Sequence, residues 1–143
     1  MERDLGIRLH DYQGAGAAGG MGGALIAFLH GQFHQGIELV LDVMNYREKI
    51  QGAQVIMTGE GKSDRQTLHG KAPMGVLHCA KELNIPTILL SGYIEDQDKQ
   101  MLAEHFHQVM SVVNESISTE MAMKEAAKYL SQRAYETIKN LLD

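Results

Sequence analysis

The 143-residue sequence predicts an α/β fold: a parallel sheet of three to four strands with helices on both faces. Three observations lead there. Short apolar runs alternate with helical segments from residue 54 to the end, the order that a parallel sheet requires. The first of these runs, Gln54 to Thr58, is bounded by glycines and reads as a buried strand. And six of the 15 glycines fall between Gly14 and Gly23, ahead of an apolar helix whose small residues suit close packing on a sheet.

Taken in order, residues 1–13 carry no clean signal. Ile7 to His10 alternates weakly and reads as a short strand or a frayed end. Ala24 to Leu29 continues the glycine-rich segment as a helix, with Gly31 as its stop. Residues 36–51 are ambiguous. Gly36 to Met44 is rich in β-formers, yet Ile37, Val40, Leu41 and Met44 fall at helical spacing, which favours a helix running on loosely through Ile50. Gln54 to Thr58 is a buried strand. Pro73 to Leu83 is a helix with proline in its first turn. Pro86 to Ser91 is a second strand, Asp96 to His105 a helix with a polar face, and Gln108 to Val113 a third strand. Ser118 caps a long final helix, Thr119 to Leu142, with a seam of Met123, Ala127, Leu130, Ala134, Ile138 and Leu141. No linker divides the chain, so residues 1–143 read as a single α/β domain. A sheet this thin suggests part of a larger fold.

Composition narrows the function. Hydrophobic residues make up 44% and charged residues 22%, as in ordinary globular proteins. No apolar run has the length of a membrane span. The start, Met1 to Gly6, lacks the apolar core of a secretory leader. The lone Cys79, among apolar neighbours, reads as a buried reduced thiol and points to the cytoplasm. A net charge of −5 argues against nucleic acid as a partner, but leaves room for a small anion at a local positive site.

The loop after the first buried strand is Gly59-Glu-Gly-Lys-Ser-Asp-Arg-Gln-Thr-Leu-His-Gly-Lys-Ala72. In open parallel sheets, ligands collect beyond the carboxyl ends of strands. Glu60 and Asp64 can hold Mg²⁺ or accept a proton. Lys62, Arg65 and Lys71, with the following helix N-terminus, suit phosphate oxygens. Gly59, Gly61 and Gly70 let backbone approach a ligand. This is equipment for phosphoryl transfer. Against it stands the ordinary fate of a charged loop, which is solvated surface.

Gly14-Ala-Gly-Ala-Ala-Gly19 matches G-x-G-x-x-G, which alone is a weak dinucleotide signal. A good preceding strand is lacking, and Glu38 and Asp42 lie in a predicted helix. An anion cradle at a helix N-terminus or tight packing by small residues explains the segment better. The seven histidines are scattered without metal-site spacing. His69 lies in the polar loop as a neighbour rather than a catalyst. Ser91-Gly92 reads equally as a ligand contact and as a plain strand-to-helix turn. The nine methionines read as core or interface filler.

Three stretches give the sequence a family resemblance: Gly14-Ala-Gly-Ala-Ala-Gly-Gly-Met-Gly22 with its apolar helix, Gly36-Ile-Glu-Leu-Val-Leu-Asp42, and Thr58-Gly-Glu-Gly-Lys-Ser-Asp-Arg-Gln-Thr-Leu-His-Gly-Lys-Ala-Pro73. The sequence resembles the bacterial glycerate kinases unrelated to the ribokinase-like ones, from about residue 11 to the end. The resemblance implies ATP-dependent phosphorylation of D-glycerate with Mg²⁺, in a cleft between two α/β domains, this chain being part of a Rossmann-like or flavodoxin-like domain. Carried onto this sequence, it implies phosphate or substrate contacts at Gly14, Gly16, Gly19, Gly20, Gln66 and Thr67. The matching positions also include Glu60, Asp64 and Lys71, which by chemical type read as a metal or substrate contact, a base or metal-linked carboxylate, and a phosphate contact. Full-length members are more than twice as long, so the chain is expected to be a truncated C-terminal portion lacking the N-terminal part and the second domain. Half a cleft implies little or no kinase activity alone, and association with the missing half. Two rival readings stay open. One is a non-catalytic α/β fragment that forms a homodimer and binds a small anion, motivated by the thin sheet and the methionine-rich last helix. The other is a dinucleotide-binding module.

Overall fold

A computed structural model describes residues 6–142; Met1 to Leu5, on which the expectation about a secretory leader falls, and Asp143 lie outside it. By contacts the chain divides into two units, Met1–Gly36 and Ile37–Asp143.

In the first unit, a 3-10 turn at Leu9–Asp11 stands where a short strand or frayed end was expected. Helix α1 is Ala17–Leu29, but its opening is broken: Ala18, Gly19 and Gly20 take left-handed dihedrals, with φ of 51°, 67° and 98°. Successive residues of that hand cannot continue a right-handed helix, so regular helix begins only beyond Gly20. At the far end the left-handed residue is His30 rather than Gly31, and the Leu25 carbonyl accepts from both backbone N–H groups.

The second unit opens with helix α2, Gly36–Val43, and the short helix α3, Tyr46–Lys49, separated by Asn45 at φ 49°. The helical spacing therefore outweighs the β-rich composition of residues 36–44. Strand β1, Ile56–Thr58, leads into a two-residue strand β2, Lys62–Ser63, and a 3-10 turn, Arg65–Leu68. Helix α4 is Ala72–Glu82, with Pro73 in its first turn. Strand β3, Thr87–Ser91, is followed by β4, Tyr93–Ile94, and helix α5, Asp96–Ala103. Strand β5 is Gln108–Ser111. The predicted long last helix is two, α6 at Thr119–Lys124 and α7 at Ala126–Leu142, broken at Glu125. Ser118 caps α6, its hydroxyl accepting from the Met121 N–H.

The main sheet has order β1-β3-β5, all parallel, and β2 pairs with β4 in a separate parallel ladder. Alternation along the strands gives the sheet two faces. On one, Leu89 packs with Met74 and Leu77 of α4 and with Leu102 and Phe106 near α5. A neighbouring cluster joins Ile56, Cys79, Ala80 and Leu41. On the other, Leu90 and Val112 pack with Ala122 of α6, flanked by Met57, Met110 and Ala134. The expected seam on the last helix is not a buried one: Met123 is 77% exposed and Leu130 45%.

Candidate functional site

The carboxyl ends of β1 and β3 hold the polar loop. The β2–β4 ladder pairs Lys62 with Tyr93 and Ser63 with Ile94, so it ties the loop after β1 to the one after β3. Backbone bonds from Gly92 N–H to Glu60 O (3.0 Å) and from Tyr93 N–H to Gly61 O (3.0 Å) reinforce it. The two loops touch at glycine. A Cβ on Gly92 would stand 2.6 Å from the Gly61 carbonyl oxygen, and one on Gly59 would collide with the Leu90 carbonyl.

Glu60 is the hub of this tie. Its Oε1 accepts from the hydroxyls of Thr67 (2.5 Å) and Ser63 (3.1 Å). Ser63 is in turn bonded to the hydroxyl of Ser91 at 2.6 Å. Ser63, Thr67 and Ser91 are each 0% exposed, so the carboxylate is anchored to the sheet through buried groups. Lys71 Nζ lies 3.5 Å from Glu60 Oε2 and 3.8 Å from Asp64 Oδ1. The three charged side chains are 21 to 35% exposed, open to a ligand on one side.

Asp64 caps the 3-10 turn. Its Oδ1 accepts from the Gln66 N–H at 2.8 Å, while its own N–H donates to the Thr67 hydroxyl at 3.1 Å. That turn then delivers Lys71 to the N-cap of α4. Thus Glu60, Asp64, Thr67 and Lys71 converge. Thr67 spends its hydroxyl on the two acidic residues, and Gln66 meets Asp64 through its backbone while lying exposed. Two cations of the loop stand apart. Lys62 binds Glu95 at 2.8 Å and lies over the Tyr93 ring; this hydrogen bond raises the Lys62 pKa and lowers that of Glu95. Arg65 is exposed, its carbonyl 3.0 Å from the His69 ring. Two carboxylates with free outer space suit Mg²⁺, which keeps several waters and takes phosphate oxygens as further ligands. Among the described residues there is no closed cage of three or more His, Cys, Asp or Glu.

In the first unit, Gly14 (φ 90°) lies under the Phe33 ring, and the Gly23 N–H donates to the Ala15 carbonyl at 2.7 Å. A Cβ on Gly22 would collide with the Gly14 carbonyl, so the loop folds closely onto α1. Gly16, Gly19 and Gly20 face open space. A cavity of about 320 Å³ lies against Leu9, His10, Tyr12 and Gly14 to Gly16. A dinucleotide fold needs a strand before its glycines, and here a 3-10 turn precedes them.

The family model described as the glycerate kinase family matches residues 1–142. The chain belongs to the glycerate kinase family. It is 35% identical over 133 residues to a glycerate kinase of Bacillus subtilis (strain 168), covering 93% of this chain and 35% of that protein. With a glycerate 2-kinase of Escherichia coli (strain K12) it shares 40% over 119 residues, covering 83% and 31%. A crystal structure of a glycerate kinase 2 from Salmonella typhimurium LT2 superposes with a TM-score of 0.70 at 35% identity, over 98% of this chain and 35% of that one. The chain thus spans about a third of the length of these relatives. No helix among the described residues is long and apolar enough to cross a membrane.

For this glycerate kinase family member, sequence reasoning named the charged residues that converge but missed what holds them. The Ser63–Ser91 link was the gap. Its signal was present as a serine closing a buried strand and another two residues after a glycine, but no local spacing reveals that residues 28 apart meet.

Proposed function

We propose that the loop from Gly59 to Ala72 forms one wall of an ATP-dependent phosphoryl-transfer site for D-glycerate, and that this chain is the C-terminal portion of a longer kinase. The observation that carries the reading is Lys71 set between two anchored carboxylates at a strand end. Asp64 takes the proton of the attacking glycerate hydroxyl, or steadies the metal that offsets phosphate charge. Lys71 leaves its acidic neighbours for the transferring phosphate, whose negative charge it neutralises better than two already hydrogen-bonded carboxylates require. Glu60 and Asp64 would hold Mg²⁺, which supplies charge neutralisation across phosphate oxygens when bound. Thr67 keeps Glu60 pointed outward, and Gln66 reaches substrate from the exposed side. In the first unit, Gly14, Gly16, Gly19 and Gly20 are assigned to an anionic group of substrate or nucleotide, Gly16, Gly19 and Gly20 being open to it and Gly14 lying under Phe33.

The test supplies the missing part of the family fold by co-expression and follows ATP-dependent phosphoglycerate formation. The 143-residue chain by itself gives little or none. With its complement, Asp64→Ala and Lys71→Ala each lower the rate by about a hundredfold or more while the fold is retained, Asp64→Ala melting somewhat earlier for loss of its cap. Full activity in both variants would sink this site assignment. The exposed apolar side chains of the last helices favour a second reading, a self-associating fragment that binds a small anion. A monomer in sedimentation, with no thermal shift from phosphate or glycerate, disposes of it. A reducing metabolic compartment, the cytoplasm, fits the single buried thiol.

A further inference from the structure

The two faces of the sheet are not equally filled. Strands of a parallel sheet are ordinarily covered on both sides. One face is closed by α4 and α5 over Leu89, which is 0% exposed. On the other, a cavity of about 930 Å³ separates part of the sheet from α6 and α7. Its floor includes Met57, Leu90 and Val112, and its far wall Met123, Leu130 and Ala134. Glu60 and Lys62 lie at its rim, and both already have partners. The walls are therefore core-type side chains at helical and strand spacing. The hydroxyl residues among them, Thr58 on the sheet side and Thr119 and Ser131 on the helical side, stand on opposite walls rather than as one group that orients a small ligand.

Polypeptide to fill such a space exists in the family. The chain matches 35% of the Bacillus subtilis relative, and 98% of it superposes on 35% of the Salmonella typhimurium structure. About two thirds of each relative is left to pack against what this chain presents. We propose that the cleft seats an apolar segment from the part of the family fold outside residues 1–143, whose side chains complete the core on the second face of the sheet. This rests on the reading of the chain as a portion of a longer kinase. It adds the surface that joins the portions.

Two formats test it. In one, the chain is co-expressed with the Bacillus subtilis relative from which the matched stretch has been removed. In the other, the chain replaces that stretch within the relative. The hydrophobic dye ANS should bind the isolated chain and lose about fivefold or more of its fluorescence in either format, because the apolar walls are then covered. Met123→Glu and Leu130→Glu, both exposed enough for the isolated chain to fold, should weaken co-purification about tenfold and lower the melting temperature of the fusion. Val43→Glu, at a position 78% exposed on α2, serves as the control that changes neither. The proposal is overturned if dye binding persists in both formats, or if the two cleft variants behave like the control. It is equally overturned if the isolated chain is a dimer that Leu130→Glu dissolves, or if ATP alone displaces the dye. None of these readouts needs phosphoryl transfer. A closed cleft without phosphoglycerate formation would count against the kinase reading alone.

Discussion

The chemistry proposed for this chain depends on a few buried hydroxyls. Glu60 receives hydrogen bonds from Ser63 and Thr67, and Ser91 bonds Ser63 from the end of β3. Removing the Ser91 hydroxyl takes away one of the two hydrogen bonds of Ser63 and leaves the one to Glu60, which costs about 0.5–1.5 kcal/mol. Ser91→Ala is therefore expected to lower stability by that amount in urea unfolding and to loosen Glu60, read as weaker binding of the Mg²⁺ proposed for this site. A variant as stable as the parent would show that the link contributes nothing. Gly92 is the second sensitive position, because a methyl group there meets the Gly61 carbonyl oxygen at 2.6 Å. Backbone cannot yield as a flexible side chain can, so Gly92→Ala should cost about 1–3 kcal/mol through overpacking. Calorimetric melting of that variant checks the value, and an unchanged melting temperature would contradict the close approach. At this scale Glu60, Asp64 and Lys71 were legible because charge at a strand end is unusual. Ser63 and Ser91 were only half legible, since their pairing depends on the β2–β4 ladder, and two-residue strands have no periodicity to read.

Among the elements, the three strands of the main sheet and α4 were legible because short apolar runs, bounded by glycine or proline at β1 and β3, have few alternatives. The last helix was not read correctly. Its apolar spacing runs across Glu125, but Glu125 leaves helical geometry at φ −122°, ψ 42°. Helical spacing alone cannot report such a break, since Glu is a good helix former. The seam likewise promised burial and supplies a cleft wall, because periodicity says which residues share a face and not what covers it. A long-range tie was invisible for a similar reason. Arg47 of α3 binds Glu82, the last residue of α4, at 2.6 Å, and also Asp42 at 2.9 Å. The hydrogen bond from Arg47 holds the Glu82 carboxyl below its ordinary 4.5. A lowered folded value means the tie stabilises fully above pH 4.5 and fades as pH falls through the lower folded value. Glu82→Gln should therefore reduce the urea midpoint at pH 7, by less in high salt, and by progressively less as the pH falls below 4.5 and the carboxylate is protonated. An equal difference above and below pH 4.5 would show that the ion pair is not the cause.

For the molecule, the parallel α/β class followed from element order, which local sequence records well. Which face of the sheet is finished did not, because that is a property of everything packed against it. The finished face has its own reporter. Cys79 is 2% exposed and packs with Ile56, Ala80 and Leu41. Burial raises its pKa above the ordinary 9.0, with a smaller opposing effect from Arg47. The folded value is the higher one, so stability from this group is complete below the unfolded pKa and declines as pH rises past about 9. A thiol that is both covered and protonated reacts only when its cluster opens. If the first face closes independently of the cleft, the isolated chain should bind ANS while its thiol reacts with DTNB at pH 8 at least about a hundredfold more slowly than in urea-unfolded chain. Occupying the cleft should then quench the dye but slow the thiol further only by the stability it adds. Fast labelling in the isolated chain would mean that the open face unfolds the closed one, and that neither half of this core stands without the rest of the family fold.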